Sequence, residues 1–184
     1  MTDRALPPDA DAPEQVEWTG KWIVAKRRGR WEYAGRTRGI RAAVIVALDA
    51  GDVILVEQYR VPIGRVCLEL PAGLIGDEDE AEDDLDSARR ELEEETGYRA
   101  AHWENLGEFY SSPGMVEESF TLVKATGLTR VGEGGGVEHE NIVVHRVPLD
   151  QIAETIAAHR AKGHGIDVKL VMLLGAQVLE DAAQ

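Results

Sequence analysis

Two glycines, Gly76 and Gly97, bracket the segment that most restricts what this chain can become. Residues 77–95 hold twelve acids against two bases, Arg89 and Arg90, a net −10 out of −14 for the whole chain. Acid at that density marks either a solvated tail or a place where cations collect. Apolar strand and helix patterns on both sides argue against a tail. Within the segment Leu85, Ala88 and Leu92 recur at spacings of three and four, the stripe by which a helix over about Asp83 to Thr96 packs onto a sheet. Gly97 is a natural stop for it. Glu91, Glu94 and Glu95 fall at i, i+3 and i+4 and so share another face. Three like charges there repel one another unless a cation binds, and Mg²⁺ takes just such a set: a few carboxylates, water and phosphate oxygens. An EF-hand loop is excluded, because counted from Asp77 its sixth position holds Glu82 where a glycine is needed.

The rest of the chain reads as strands around this helix. Residues 1–14, rich in Pro, Asp and Ala, are expected to form a disordered tail. From Val16 to about Ala34, Trp18, Trp22, Val24, Trp31 and Tyr33 lie among Lys and Arg, which predicts two strands joined at Arg28-Gly29-Arg30. Apolar strands follow at 41–48 and 52–59, then Val66 to Leu70, ending at Pro71-Ala72-Gly73. Beyond the helix, strands are expected near 103–110, 119–125 and 141–147. The piece Gly132 to Gly136 reads as a flexible connection. Two amphipathic helices close the chain, at about Leu149–Ala161 and Asp167–Leu179, with Asp167 as N-cap of the second. The pattern predicts an α/β layered fold around a mixed sheet.

Composition removes several function classes. The strongly negative charge argues against nonspecific nucleic-acid binding. The longest apolar run, Ala42–Leu48, is far too short for a membrane span, and the N-terminus lacks an apolar signal core. The single cysteine, Cys67, sits in an apolar strand pattern and reads as a buried core thiol. A cytoplasmic location is the expectation.

The pattern Gly76-x5-Glu82-x7-Arg90-Glu91-Leu92-x-Glu94-Glu95-x-Gly97-Tyr98 closely resembles the signature box of the Nudix hydrolases. Val56-Glu-Gln-Tyr-Arg60, Leu68-Glu-Leu-Pro71-Ala72-Gly73, Ser112-Pro113-Gly114 and Glu138-His-Glu140 resemble the ADP-ribose pyrophosphatase branch of that family. One spacing departs from the branch. Its box glycine ordinarily follows Pro-Ala directly, where Gly73 stands, so about three extra residues precede the helix here.

The resemblance implies a Nudix fold, an α/β/α sandwich around a mixed β-sheet. Residues 37–184 would form this domain, with an N-terminal strand extension over 15–36 exchanged between the subunits of a homodimer. It implies Mg²⁺ as cofactor, with Mn²⁺ as a substitute. The metal ligands would be Glu91 and Glu95, the Ala72 carbonyl, Glu94 and Glu140. Glu138 or Glu140 would be the base, while Arg90, with Glu82, would orient the helix carboxylates. Trp22, Trp31, Glu32, Arg60 and Pro113 would bind substrate, Trp22 and Trp31 by stacking on adenine. The implied reaction is hydrolysis of the diphosphate of a nucleoside diphosphate sugar, ADP-ribose giving AMP and ribose 5-phosphate. GDP-mannose or a broad nucleotide-sugar range is the nearest alternative. A non-catalytic ADP-ribose-binding regulator and an acidic interaction protein are alternatives of other classes.

Overall fold

The computed structural model describes residues 5–38, 40–75, 83–137 and 140–175. Gly76, Glu82, Glu138 and the end of the expected last helix lie outside these residues.

An apolar strand, β4 (Arg41–Asp49), turns at Ala50-Gly51 into β5 (Asp52–Arg60). The two pair only at the base of the hairpin, Leu48 with Val53 and Asp49 with Asp52, and then splay apart. The gap is filled from below. β6 (Arg65–Glu69) pairs with the far half of β5, and β7 (Ala72–Ile75) pairs with the first four residues of β4. Pro71, which has no N–H to give a ladder, sits at the junction and accepts the Ile45 amide through its carbonyl (2.8 Å). This split between β4 and β5 later becomes the mouth of the site.

Outside it, β9 (Ser119–Arg130) runs parallel to β4 and is flanked by β8 (Tyr98–Tyr110), while β10 (Val143–Pro148) pairs with β5. A two-residue strand, β11 (Gly165–Ile166), closes the edge beside β6. The sheet is therefore mixed, and its central strands are buried on both faces, which is why β4 reads as a continuous apolar run. Ala43, Ile45 and Ala47 face the helix α1 (Asp84–Thr96) through Ala88 and Leu92. Val44 and Val46 face the other way, toward Ile152 and Ile156 of α2 (Ile152–Ala161) and toward Leu170. Helices thus cover both faces, giving the expected α/β/α layering.

α1 starts where its sequence says it should. The Asp83 side chain accepts the Leu85 amide at the N-terminus (2.9 Å), and Gly97 ends the helix with φ of 73°. Buried Ser87 donates to the Leu74 carbonyl (3.0 Å) and ties the helix to β7.

Three differences from expectation have local causes. The N-terminal region makes three strands, β1 (Glu14–Thr19), β2 (Ile23–Arg28) and β3 (Trp31–Arg36), in a sheet of their own. Ahead of them residues 7–12 form turns, and Asp9 pairs with Arg30 (2.7 Å), so at least this part of the expected tail is engaged. The strand after α1 begins at Tyr98 rather than near 103, because the helix-ending glycine feeds straight into it. Gly132 to Gly136 is packed rather than loose. The Gly135 and Gly136 amides donate to the last carbonyls of α1, Glu95 (2.8 Å) and Glu94 (3.0 Å). Those carbonyls have no partner within the helix, so the segment acts as its C-terminal cap.

Candidate active site

The split between β4 and β5 opens into a cavity of about 420 Å³. Ala42 and Val44 come from one lip, Gln58 and Arg60 from the other, and the start of β7 at Ala72-Gly73 lines it beside α1. Into it face Glu91 and Glu95 of α1 and Glu140 from the stretch after the glycine-rich cap. That cap is what brings Glu140 near the helix. It fixes residues 135 and 136 on the end of α1, and Glu140 then folds back so that its carboxylate accepts the Val137 amide (2.9 Å).

The electrostatics of this cluster are unfavourable without a counter-cation. Burial pushes the Glu95 carboxyl up to about 8, helped by the charges of Glu91 and Glu140, although the Ala72 amide donates to it (3.1 Å) and opposes the shift. Burial likewise raises Glu91 to about 7, with Glu94 and Glu140 adding to the effect against the pull of Arg90. Arg90 contacts Glu91 at 2.8 Å and Glu94 at 3.4 Å, a bridge along the helix that holds both carboxylates in register. Carboxylates destabilised by burial and by one another, and served by hard oxygen donors only, form a chemically suitable set for a hard divalent cation.

Gly73 is part of this arrangement. A methyl group built on it would overlap the Glu91 side chain and stand 2.5 Å from its Oε1. A Gly73→Ala variant is therefore expected to keep its fold but displace Glu91, lowering kcat/KM by about 10-fold or more. Steady-state kinetics beside a thermal unfolding curve checks this.

The remaining sequence candidates separate. Arg60 lines the cavity and forms a two-pronged ion pair with buried Glu69, Nε to Oε1 at 2.7 Å and Nη2 to Oε2 at 2.9 Å. Trp31 and Pro113 come together in a second cavity of about 350 Å³, shared with Tyr33 and Glu117. Trp22 and Glu32 line neither of these two cavities. Trp22 is instead flanked by cations, Lys21 Nζ at 4.5 Å and Arg38 Cζ at 5.4 Å from its ring centre. Glu94 points partly to solvent on the Arg90 side. Cys67 is buried, and burial pushes its thiol up to about 12, which leaves it chemically quiet.

Sequence reasoning missed Glu69, Arg36 and Lys169 among the cavity residues. Glu69 carried a signal, an acid interrupting an apolar strand between Leu68 and Leu70. Arg36 and Lys169 carried none, since each is one more cation at a strand or helix end.

A layered α/β sheet whose helix presents partly buried Glu91 and buried Glu95 to a cleft defines a hydrolase of the Nudix type. The chain belongs to the NUDIX domain family, whose model matches residues 37–166. It is 32% identical over 143 residues to an ADP-ribose pyrophosphatase of Bacillus subtilis, covering 77% of this chain and 74% of that one. It is 38% identical over 147 residues to a GDP-mannose pyrophosphatase of Cronobacter sakazakii, covering 74% and 72%. A solved structure described as an ADP compounds hydrolase superposes with a TM-score of 0.66 over 92% of this chain and 93% of that one; at 21% identity it supports the fold alone. Across curated relatives of this kind the chain spans from 44% to 84% of their own length. Among the described residues no helix is long and apolar enough to cross a membrane.

Proposed function

We propose that the protein hydrolyses the diphosphate bond of a nucleoside diphosphate sugar with Mg²⁺, and that ADP-ribose, split to AMP and ribose 5-phosphate, is its best substrate. The observation that carries this reading is a pair of glutamates, partly buried Glu91 and buried Glu95, facing one cavity together with Glu140. Glu91, Glu95, the Ala72 carbonyl, Glu94 and Glu140 would hold divalent cations, which supply neutralisation of the diphosphate charge and a lowered pKa for water. Glu140 is the group placed to take a proton from an attacking water, with Glu138 the alternative. The water oxygen bonds to one phosphorus, the bridging P–O bond breaks, and the second phosphate leaves as a monoester. Arg60, held by Glu69, offers its guanidinium edge to a phosphate or to the terminal ribose. Arg90 holds Glu91 and Glu94 against their mutual repulsion.

Selectivity for adenine is assigned to the N-terminal sheet, with Trp31 and Pro113 forming one subsite and Trp22 and Glu32 available from neighbouring strands. That sheet and β8 leave Val16, Trp18, Ile23, Phe109 and Tyr110 exposed. Apolar surface of this extent supports a homodimer built through residues 15–36. The 38% identity to a GDP-mannose pyrophosphatase favours GDP-mannose as the second reading.

A panel of ADP-ribose, GDP-mannose, NADH and diadenosine polyphosphates, run with Mg²⁺ or Mn²⁺ and with products identified by mass, separates these readings. The expected result is a kcat/KM for ADP-ribose at least about 10-fold above the others, a preference of about 1.4 kcal/mol. A higher value for GDP-mannose would transfer the assignment to it. Binding of ADP-ribose without turnover of any substrate would favour a regulator.

A further inference from the structure

Three of the chain's five histidines converge on one glutamate on the face of the sheet covered by α2, apart from the residues lining the catalytic cavity. Glu57 lies on β5, one residue before Gln58. Successive strand residues point to opposite faces, so Gln58 lines the catalytic cavity while Glu57 faces α2. His145 comes from β10, His159 from the last turn of α2, and His164 from the link between α2 and β11. Glu57 Oε2 stands 3.3 Å from His145 Nε2, 3.3 Å from His159 Nδ1 and 3.7 Å from His164 Nδ1. His159 Nδ1 and His164 Nδ1 are themselves 3.3 Å apart.

A hydrogen-bond network accounts poorly for this. A neutral imidazole has one N–H and one bare nitrogen, and a carboxylate oxygen offers two lone pairs. Here three ring nitrogens point at one oxygen, and two of them also point at each other. Charging the rings to make more donors is opposed where it matters most, because burial holds the His159 pKa below its ordinary value, and the neighbouring His145, Lys162 and His164 charges act in the same direction against Glu57. Ring nitrogens that converge beside one carboxylate are instead a ligand set. Zinc–nitrogen and zinc–oxygen bonds of about 2.0–2.1 Å in tetrahedral geometry put neighbouring ligand atoms roughly 3.3–3.4 Å apart. The separations of Glu57 from His145 and from His159 match that edge, and the three ligand atoms all lie within 4.8 Å of one another, while His164, 3.7 Å from Glu57, stands outside that group.

We propose that Glu57, His145 and His159 form a site for a zinc-class divalent transition-metal ion, with His164 standing beside it. The site has three protein ligands and leaves the fourth tetrahedral position open. It ties α2 to β5 and β10. Two nitrogens and one oxygen also make it selective in the opposite sense to the oxygen donors of the catalytic cavity: imidazole suits zinc, carboxylate and carbonyl suit Mg²⁺.

Co²⁺ added to chelator-stripped, tag-free full-length protein tests this, because four-coordinate Co²⁺ absorbs visible light far more strongly than the six-coordinate ion an all-oxygen site would give. The wild type and a Glu91→Gln/Glu95→Gln variant are both expected to show the intense absorption, saturating at one equivalent and abolished by Zn²⁺. It is expected to be lost in His145→Gln, whose side chain is partly exposed, and in His159→Gln. Zn²⁺ is expected to raise the unfolding midpoint of the wild type by several degrees and leave those two variants unmoved, while Mg²⁺-dependent activity of folded His145→Gln stays within about 2-fold of wild type. A weak six-coordinate spectrum in the wild type, or an intense one that survives in both histidine variants, would overturn the proposal. Loss of the intense spectrum in the double glutamate variant alone would reassign it to the catalytic cavity.

Discussion

A Glu95→Gln variant is expected to lose about 10²–10³-fold in kcat at saturating Mg²⁺ while gaining stability in the absence of metal. The activity loss follows from position: Glu95 is buried and faces the cavity from α1 beside Glu91, and removing a ligand charge there removes roughly 3–4 kcal/mol of transition-state stabilisation. The stability gain follows from linkage. Both Glu95, raised to about 8, and Glu91, raised to about 7, hold their protons longer in the native state than in the unfolded chain, where a glutamate titrates near 4.5. Between these values the native state binds more protons than the unfolded state, so stability must fall as pH rises. The contribution is complete below about pH 4.5 and is lost as pH passes through about 7 and then about 8. Metal-free wild type should therefore show a falling urea midpoint from pH 5 to pH 8, with a shallower fall in Glu95→Gln. The glutamine keeps an oxygen for the Ala72 amide, so the fold has no reason to change. A flat wild-type profile would mean that these carboxylates are not strained by burial.

Gly134→Val should be the most damaging single change outside the acids. Gly134 has φ of 70°, and a methyl group there would stand 2.7 Å from the Glu95 carbonyl oxygen and 2.8 Å from the Gly97 amide nitrogen, besides overlapping the Thr96 carbonyl carbon. All of these are backbone atoms of the helix end, which cannot swing away as a side chain can. Left-handed strain on a β-branched residue adds to the overlap. The expected cost is about 3 kcal/mol or more, read from denaturant unfolding. Activity should fall with it even under conditions where the variant is folded, because lifting residues 134–136 off α1 uncouples Glu140 from Glu91 and Glu95. Gly114→Ala, where a methyl meets nothing within 4 Å, is the control and should change stability by less than about 0.5 kcal/mol.

These two variants mark where sequence legibility ended. α1 was readable almost to the residue, because its cap, its stripe and its stop are local: Asp83, the Leu85–Ala88–Leu92 spacing, and Gly97. The acidic face was readable for the same reason, since helical spacing alone brings Glu91, Glu94 and Glu95 together. The glycine-rich segment was misjudged because glycine has two meanings. Polar context suggests freedom, whereas here the absence of a side chain permits close approach to a helix end. Glu69 was hidden in a motif that looked like strand packing. The histidine cluster was invisible, because Glu57, His145, His159 and His164 share no periodicity. Only the pairing of β10 with β5 and the placement of α2 over that face bring them together. The third N-terminal strand escaped notice because Val16 and Trp18 of β1 run on toward Trp22 and Val24 as if in one strand, with only Gly20 to mark the turn between β1 and β2.

The central claim is that the cavity acids serve divalent cations in cutting a diphosphate. Its most direct test is the release of AMP and ribose 5-phosphate from ADP-ribose, followed by mass spectrometry, with Mg²⁺ and with chelator, for wild type and Glu95→Gln. Equimolar products that depend on the metal and fall about 10²–10³-fold in the variant are predicted. Equal turnover in chelator, or wild-type turnover by Glu95→Gln at saturating Mg²⁺, would contradict the claim.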